Sequence, residues 1–133
     1  MIIERLNPAG LMTPEGYSHV SVAPNGRAVH IAGQTALDAD GRLIADDLTG
    51  QTAAALQNVA IALASAGATF EDVVAITMLV VDWEPAKHEQ LLDGVMRAAA
   101  DHGAAVAPTT LIPVPRLFAD GLLIEITMQA VIV

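Results

Sequence analysis

A chain of 133 residues is long enough to bury the core of one domain and too short for two comfortable ones. Hydrophobic residues make up 53% and aromatic residues only 3%, so the core has to be built from Ala, Val, Leu and Ile. The net charge of -9, with scattered basic residues and no cysteine, argues against a nucleic-acid surface and excludes disulfides and a thiolate nucleophile.

The sequence shows no sign of a membrane segment or a secretory leader. No window approaches the run of about 18 apolar residues that predicts a membrane-spanning helix. Glu4 and Arg5 interrupt the N-terminus before a basic-then-apolar signal pattern can form. We therefore expect a cytoplasmic protein that does not bind a membrane.

Two short strands are predicted first in chain order. Residues 20–22 and 28–32 are apolar segments on either side of Pro24-Asn25-Gly26, which is a strong turn signal. This spacing predicts an antiparallel hairpin. Gly33-Gln34 ends the second strand, and a loop rich in Asp and Gly follows over residues 38–50.

A helix and a buried strand are predicted next. Apolar residues recur at helical spacing over residues 51–66, with Thr49 as the expected N-cap and Gly67 as the expected stop. Residues 73–81 form a nearly continuous apolar run, which is typical of a strand covered on both faces.

A second helix is expected to begin near Pro85 and to end at Gly103, with Asp82 or Glu84 as its cap. The chain then predicts two strands, over residues 109–114 and 122–133, joined through Asp120-Gly121. In the last strand apolar residues alternate with a more polar set that contains Glu125. A carboxylate among β-branched residues needs a partner, water or a ligand.

The predicted order of elements is therefore β-β-α-β-α-β-β, in a single domain over residues 1–133. We expect an α+β fold in which two helices pack on one face of a mixed β-sheet, with antiparallel terminal hairpins. The other face then has no cover. A patch of this kind usually marks a subunit interface, so we predict a homo-oligomer that buries Thr77, Leu79, Val81, Leu111 and Pro113.

Six short motifs occur in register along the chain: Gly16-Tyr17-Ser18, Ile31-Ala32-Gly33-Gln34, Gln51-Thr52 with Gln57-Asn58, Ala66-Gly67-Ala68 followed by Asp72-Val73-Val74, Ala107-Pro108-Thr109-Thr110 and Leu123-Ile124-Glu125-Ile126. In this order and at these spacings the chain resembles the Rid (YjgF/YER057c-type, RidA-like) family over nearly its whole length. The resemblance implies a chorismate-mutase-like subunit that assembles as a homotrimer, with small-molecule clefts between neighbouring subunits.

For the members that hydrolyse 2-aminoacrylate and related imines, the resemblance also implies a pocket. Tyr17 would line it, Glu125 would position or activate water, and an arginine would hold the substrate carboxylate. Here the position aligned with that arginine is Thr109. Losing a charge-assisted hydrogen bond costs about 1.5–3 kcal/mol, so we expect a less anionic ligand.

The candidate site therefore has Glu125 as the catalytic residue and Tyr17, Gly33, Thr109 and Thr110 as ligand-binding residues. Tyr17 serves equally well in rim packing, and Gly33 has a structural interpretation as a point of close backbone approach.

Arg116 is the candidate replacement for the missing cation. It lies an odd number of residues beyond Thr109 and therefore points to the opposite face of an ideal strand. A bulge near Pro113 or Pro115 would reverse that orientation.

No metal site or cofactor is expected. The four histidines include no pair with the i, i+4 spacing that a helical metal site uses. The serines lie in no nucleophile-elbow context.

Three functions remain open. The first is a trimeric protein that binds a small neutral or weakly polar metabolite, with hydrolase or deaminase chemistry centred on Glu125 or with reduced imine deaminase activity. The second is a non-catalytic ligand-binding or scaffold protein. The third is a ribonuclease, which the acidic charge disfavours.

Overall fold

The structure, a computed structural model, describes residues 3–133. In chain order, its strands and α-helices are β1 (Glu4–Leu6), β2 (Val20–Val22), β3 (Arg27–Gln34), α1 (Leu48–Ser65), β4 (Val73–Val81), α2 (His88–His102), β5 (Thr109–Val114) and β6 (Ile124–Ile132). Single 3₁₀ turns precede β4 and α2, at Phe70–Asp72 and Pro85–Lys87. None of the helices in this range is both long enough and apolar enough to cross a membrane.

The main sheet has four strands in the order β3-β6-β4-β5. Strand β6 runs antiparallel to both of its neighbours, whereas β4 and β5 run parallel because α2 carries the chain back between them. Strands β1 and β2 form a separate antiparallel pair. The predicted α+β architecture is confirmed, with β1 as a strand that the sequence pattern did not indicate.

The predicted terminal hairpins were wrong. Strand β2 pairs with β1, not with β3 across Pro24-Asn25-Gly26, and β5 pairs with β4, not with β6. A turn signal specifies where the chain reverses, but it does not specify which strand supplies the hydrogen bonds. Strand β6 carries the most regular alternation of buried side chains, and it occupies an interior position between β3 and β4.

Helix α1 begins earlier than predicted, and its cap is different. The carboxylate of Asp47 accepts a hydrogen bond from the Gly50 amide at 2.9 Å, which makes Asp47 the N-cap. Thr49, the predicted cap, lies inside the first turn and donates its hydroxyl to the carbonyl of Gln90 at 3.0 Å. At the other end Gly67 has φ +76°, as expected of a glycine that ends a helix.

Helix α2 follows the 3₁₀ turn that opens at Pro85, and it ends at Gly103, which has φ +75°. Glu84 occupies the N-cap position of the 3₁₀ turn but makes no capping hydrogen bond through its side chain. Asp82 has φ +49° and belongs to the turn after β4. Glu84, one of the two predicted caps, therefore occupies the cap position before Pro85 without a side-chain hydrogen bond, whereas Asp82 does not cap the helix.

The two helices contact each other at Gly94. A Cβ atom at this position would lie 2.6 Å from both the Thr49 carbonyl oxygen and the Thr52 Cβ atom. The missing side chain therefore lets the helix backbones approach closely. The core lies between this helix pair and one face of the sheet, which we call the inner face; its least exposed large apolar side chains are Leu63, Val59, Val73, Val80, Ile124, Ile126 and Met128.

The opposite face of the sheet, here the outer face, is not covered by either helix. Along β4 and β6 its side chains are half-buried, and they alternate with the fully buried residues of the inner face. The apolar run of β4 is thus covered by helices on one face only. Leu111 and Pro113, which we predicted to lie on the uncovered side, register with Met78 and Val80 and share their inner face. From β5 it is Ile112, 42% exposed, that lies on the outer face.

Candidate functional site

Glu125 lies near the start of β6, on the outer face. It registers with Leu79 of β4, which in turn registers with Ile112 of β5. The alternation along β6 leaves Glu125 half-buried between the fully buried Ile124 and Ile126. The strand backbone therefore holds the carboxylate of Glu125 next to the apolar side chains of Leu79 and Ile112, on a surface that a ligand could contact.

Gly33 makes room for the carboxylate of Glu125. A Cβ atom at Gly33 would lie 2.5 Å from Cδ and 2.6 Å from Cγ of Glu125. The pairing of β3 with β6 shifts register between Ile31 and Gln34, and this irregularity brings the Gly33 backbone beneath the Glu125 side chain. The structure thus brings together two of the predicted site residues.

Three threonines form a row across the outer face, beside Glu125. Thr127 of β6 registers with Thr77 of β4, and Thr77 registers with Thr110 of β5. Thr109 registers instead with the buried Ile76 and so points to the inner face. The strand register therefore places Thr110 on the face of Glu125, whereas Thr109, the position aligned with the arginine of the imine-hydrolysing members, points away from it. Thr77, which we predicted on the uncovered face, and Thr127 were not predicted to lie beside Glu125, because the sequence does not reveal the register.

Tyr17 and Thr109 lie on the inner-face side of the sheet. Both line a cavity of about 560 Å³ between α2 and the sheet, together with Trp83. The Tyr17 ring meets the His19 ring edge-on, with centroids 5.3 Å apart. The Thr109 hydroxyl donates to a backbone carbonyl two residues earlier at 3.0 Å. Within one subunit, Tyr17 and Thr109 are therefore separated from Glu125 by the sheet.

No cation forms an ion pair with Glu125 within residues 3–133. The one ion pair in this range joins Arg116 to Asp120 at 2.9 Å, and the Arg116 side chain is 71% exposed. Arg5 donates to the Val73 carbonyl at 2.6 Å, and burial lowers the pKa of its guanidinium. Arg116 is thus engaged in the loop after β5 and does not take the place of the missing arginine in the subunit.

The histidines are dispersed over the described part of the chain. His19 donates a hydrogen bond from Nε2 to the Met12 carbonyl, and His102 contacts Gln57. Nowhere in residues 3–133 do three His, Asp or Glu side chains come together as a metal site would require.

Comparisons with known proteins identify the family. The family model described as Endoribonuclease L-PSP matches residues 9–132. No curated protein matches the chain. Among solved structures, the Rid-family protein YyfB of Yersinia pestis is 37% identical, with a TM-score of 0.87 over 99% of this chain and 100% of that one.

Two further structures share the fold. Rv2704 of Mycobacterium tuberculosis, described as a member of the YjgF/YER057c/UK114 family, is 28% identical with a TM-score of 0.64 over 98% of this chain and 99% of its own. Escherichia coli TdcF, solved with bound serine, is 22% identical with a TM-score of 0.69 over 100% and 99%. A family model that spans nearly the whole chain and a close full-length structural relative lead to one conclusion: the chain belongs to the Rid family, which is also described as the YjgF or Endoribonuclease L-PSP family.

Proposed function

We propose that this chain is a homotrimeric small-molecule-binding hydrolase whose site is built around Glu125 and takes a neutral or weakly polar substrate with a C=N bond. The observation that carries the proposal is the row of neutral threonine hydroxyls beside Glu125, in which β5 contributes Thr110 and no cation. A threonine hydroxyl can donate one neutral hydrogen bond, but it cannot form the bidentate charged pair that a guanidinium makes with a carboxylate.

The geometry of the sheet supports a cleft between subunits. Neighbouring strands are about 4.8 Å apart, so Thr110 lies two strands, or about 10 Å, from β6. The carboxylate of Glu125 leans towards Gly33 on the opposite side of β6. In our proposal Thr110 of one subunit therefore faces Glu125 and Gly33 of the next, and Tyr17 also comes from a neighbour.

The proposed reaction needs few groups. Water adds readily to a protonated C=N carbon, and Glu125 would hold that water and accept its proton. The amine then leaves as the carbon becomes a carbonyl. Glu125 belongs to a strand whose flanking side chains are fully buried, so the carboxylate is held in place by packing.

Ribonuclease activity is not part of the proposal, although the family description names it. The net charge of -9 would repel the phosphate backbone. The basic residues are also spread along the sequence and form no run.

The deciding experiment places an arginine on the same face of the sheet as Glu125. We expect wild-type protein to hydrolyse 2-aminoacrylate slowly, and Thr110→Arg to raise kcat/KM by about 10- to 100-fold, the equivalent of one charge-assisted hydrogen bond. Thr109→Arg is the matched control, because it adds the same charge on the inner face and should give no gain.

Glu125→Gln keeps the size of the side chain and removes the proton acceptor, so it should abolish the activity gained by Thr110→Arg. Rapid 2-aminoacrylate turnover by the wild type would contradict the proposed substrate class. Full activity of Glu125→Gln in the Thr110→Arg background would contradict the catalytic role of Glu125. Absence of turnover by both the wild type and Thr110→Arg would favour a binding protein without chemistry.

A further inference from the structure

The turn between β2 and β3 contains an asparagine followed by a glycine, Asn25-Gly26, and both residues are exposed. In a two-residue hairpin an Asn-Gly pair is held by the hydrogen bonds between the two strands that flank it. Here β2 pairs with β1 and β3 pairs with β6, so the two flanking strands do not pair with each other. The Asn25-Gly26 turn is therefore not closed by a strand ladder.

The side chain of Asn25 is also free of local restraint. Within residues 3–133 it takes part in no hydrogen bond, and the amide of Gly26 donates to no turn or loop carbonyl. Pro24 precedes the pair and has no N–H that could close the turn from the other side. The carboxamide of Asn25 can therefore rotate towards the backbone that follows it.

The other two of the three asparagines of the chain are held in place. The side-chain oxygen of Asn7 accepts a hydrogen bond from a backbone amide at 2.9 Å, and the nitrogen of the following Pro8 carries no proton. Asn58 lies in α1, where its side chain donates to the carbonyls of Thr35 at 2.8 Å and Leu37 at 2.9 Å. Asn25 thus differs from both in its freedom and in its neighbour.

An unrestrained asparagine before glycine can react with its own backbone. The Gly26 nitrogen loses its proton and attacks Cγ of Asn25, the new N–Cγ bond closes a succinimide ring, and ammonia leaves with that proton. Glycine favours the closure because it has no side chain to hinder the approach. Water then opens the ring at either carbonyl, which gives aspartate or isoaspartate. The chain has then lost ammonia and gained water.

We propose that Asn25 is a site of spontaneous deamidation, and that its isoaspartate product disturbs the start of β3. A Cβ atom at Gly26 would lie 2.5 Å from the backbone oxygen of Ile132, so the Gly26 backbone is packed against the end of β6. Arg27 begins the pairing of β3 with β6 opposite the same Ile132. Isoaspartate adds one methylene group to the backbone directly before this contact. The turn lies at the opposite end of β6 from Glu125, so the proposal does not depend on the function proposed above.

Peptide mapping by mass spectrometry tests the site. Wild-type protein is incubated in mildly alkaline buffer, digested and compared with fresh protein. We expect a gain of about 1 Da at Asn25, at least about tenfold faster than at Asn7 or Asn58, because an amide group is replaced by a carboxyl group. Asn25→Gln is the matched control, since its longer side chain would have to close a larger ring. No gain at Asn25, or an equal gain at all three asparagines, would overturn the proposal.

The chain unfolded in guanidinium chloride gives the rate of deamidation without the fold. Because the turn is exposed and not closed by strand pairing, we expect the folded and unfolded rates at Asn25 to agree within about tenfold. A folded protein that keeps Asn25 intact while the unfolded chain deamidates would show that the turn is restrained, and it would overturn the proposal.

The effect on β3 is tested with Asn25→Asp, which carries the same added charge on an unchanged backbone. The deamidated fraction of aged wild type is isolated by anion exchange. Its isoaspartate is measured by methyl transfer from labelled S-adenosylmethionine with an isoaspartyl methyltransferase, and aged Asn25→Gln serves as the blank. We expect its melting temperature to be about 3–6 °C below that of fresh Asn25→Asp. Equal melting temperatures would overturn the proposed disturbance of β3.

Discussion

At the scale of residues, the contact between Gly33 and Glu125 is the most specific one in the candidate site. It is possible because glycine has no Cβ atom. The space that a Cβ atom would occupy at Gly33 is filled by the carboxyl end of Glu125. Gly33 is not among the glycines with positive φ, so its backbone conformation does not require glycine. The glycine is therefore explained by the neighbouring carboxylate and not by backbone strain.

Gly33→Ala is expected to move the Glu125 carboxylate and to cost little stability, because the end of a flexible side chain can shift. In a Thr110→Arg background, 2-aminoacrylate turnover should fall about tenfold or more, while the free energy of unfolding changes by less than about 1 kcal/mol. Turnover assays and urea denaturation measure the two effects.

Gly26→Ala is the matched comparison for stability. A Cβ atom there would lie 2.5 Å from the backbone oxygen of Ile132, which cannot move as freely. We expect Gly26→Ala to lose about 1–3 kcal/mol. A Gly33→Ala protein that is destabilised as much as Gly26→Ala, or that keeps full turnover, would contradict the positioning role.

At the scale of elements, Gln51 connects α1 to the segment that leads into β6. Its side-chain amide is fully buried and donates to the carbonyls of Ala45 at 3.1 Å and Gly121 at 2.8 Å. Its side-chain oxygen accepts from the Leu123 amide at 2.8 Å. Because Leu123 precedes Glu125 by two residues, this network helps to fix where β6 begins and where the carboxylate lies.

Gln51→Ala should be strongly destabilising, because it leaves buried backbone groups without partners. We expect a loss of about 2–4 kcal/mol in the free energy of unfolding. Gln90→Ala, on the exposed side of α2, should change the stability by less than about 0.5 kcal/mol. Chemical denaturation of both variants provides the comparison, and equal stabilities would show that the network contributes nothing.

At the scale of the whole molecule, the outer face of the sheet is the apolar surface that neither helix of the subunit covers. Leu79 and Val81 of β4 are half-buried there, and Ile112 of β5 is 42% exposed. Neither helix covers this face, and in our proposal a neighbouring subunit buries it. The proposed trimer would also place Glu125 at a subunit interface, which links assembly to the candidate site.

Leu79→Lys is expected to prevent assembly, since it would bury an unpaired charge in the proposed interface. Analytical ultracentrifugation should give about three times the 13.8 kDa chain mass for the wild type and the chain mass for Leu79→Lys. Ile61→Lys, at a position of α1 that is 60% exposed, should remain a trimer. A monomeric wild type, or a trimeric Leu79→Lys protein, would contradict the proposed interface.

The sequence by itself determined the family, the fold class and the number of helices. The family follows from the resemblance of six motifs in register. The fold class and the helices follow from local signals: helical spacing before Gly67, the proline and glycine that bound the second helix, and the alternation around Glu125. The close approach suggested for Gly33 also has a counterpart in the structure.

Only the tertiary structure decided which strands pair and therefore which side chains share a face. Moving a strand by one residue exchanges its two faces, and neither composition nor periodicity sets that register. For this reason Thr110, and not Thr109, lies on the face of Glu125, while Tyr17 lies beside a separate cavity. Hydrogen bonds between residues distant in sequence set the strand register. A local sequence pattern therefore could not predict which threonine of β5 shares the face of Glu125.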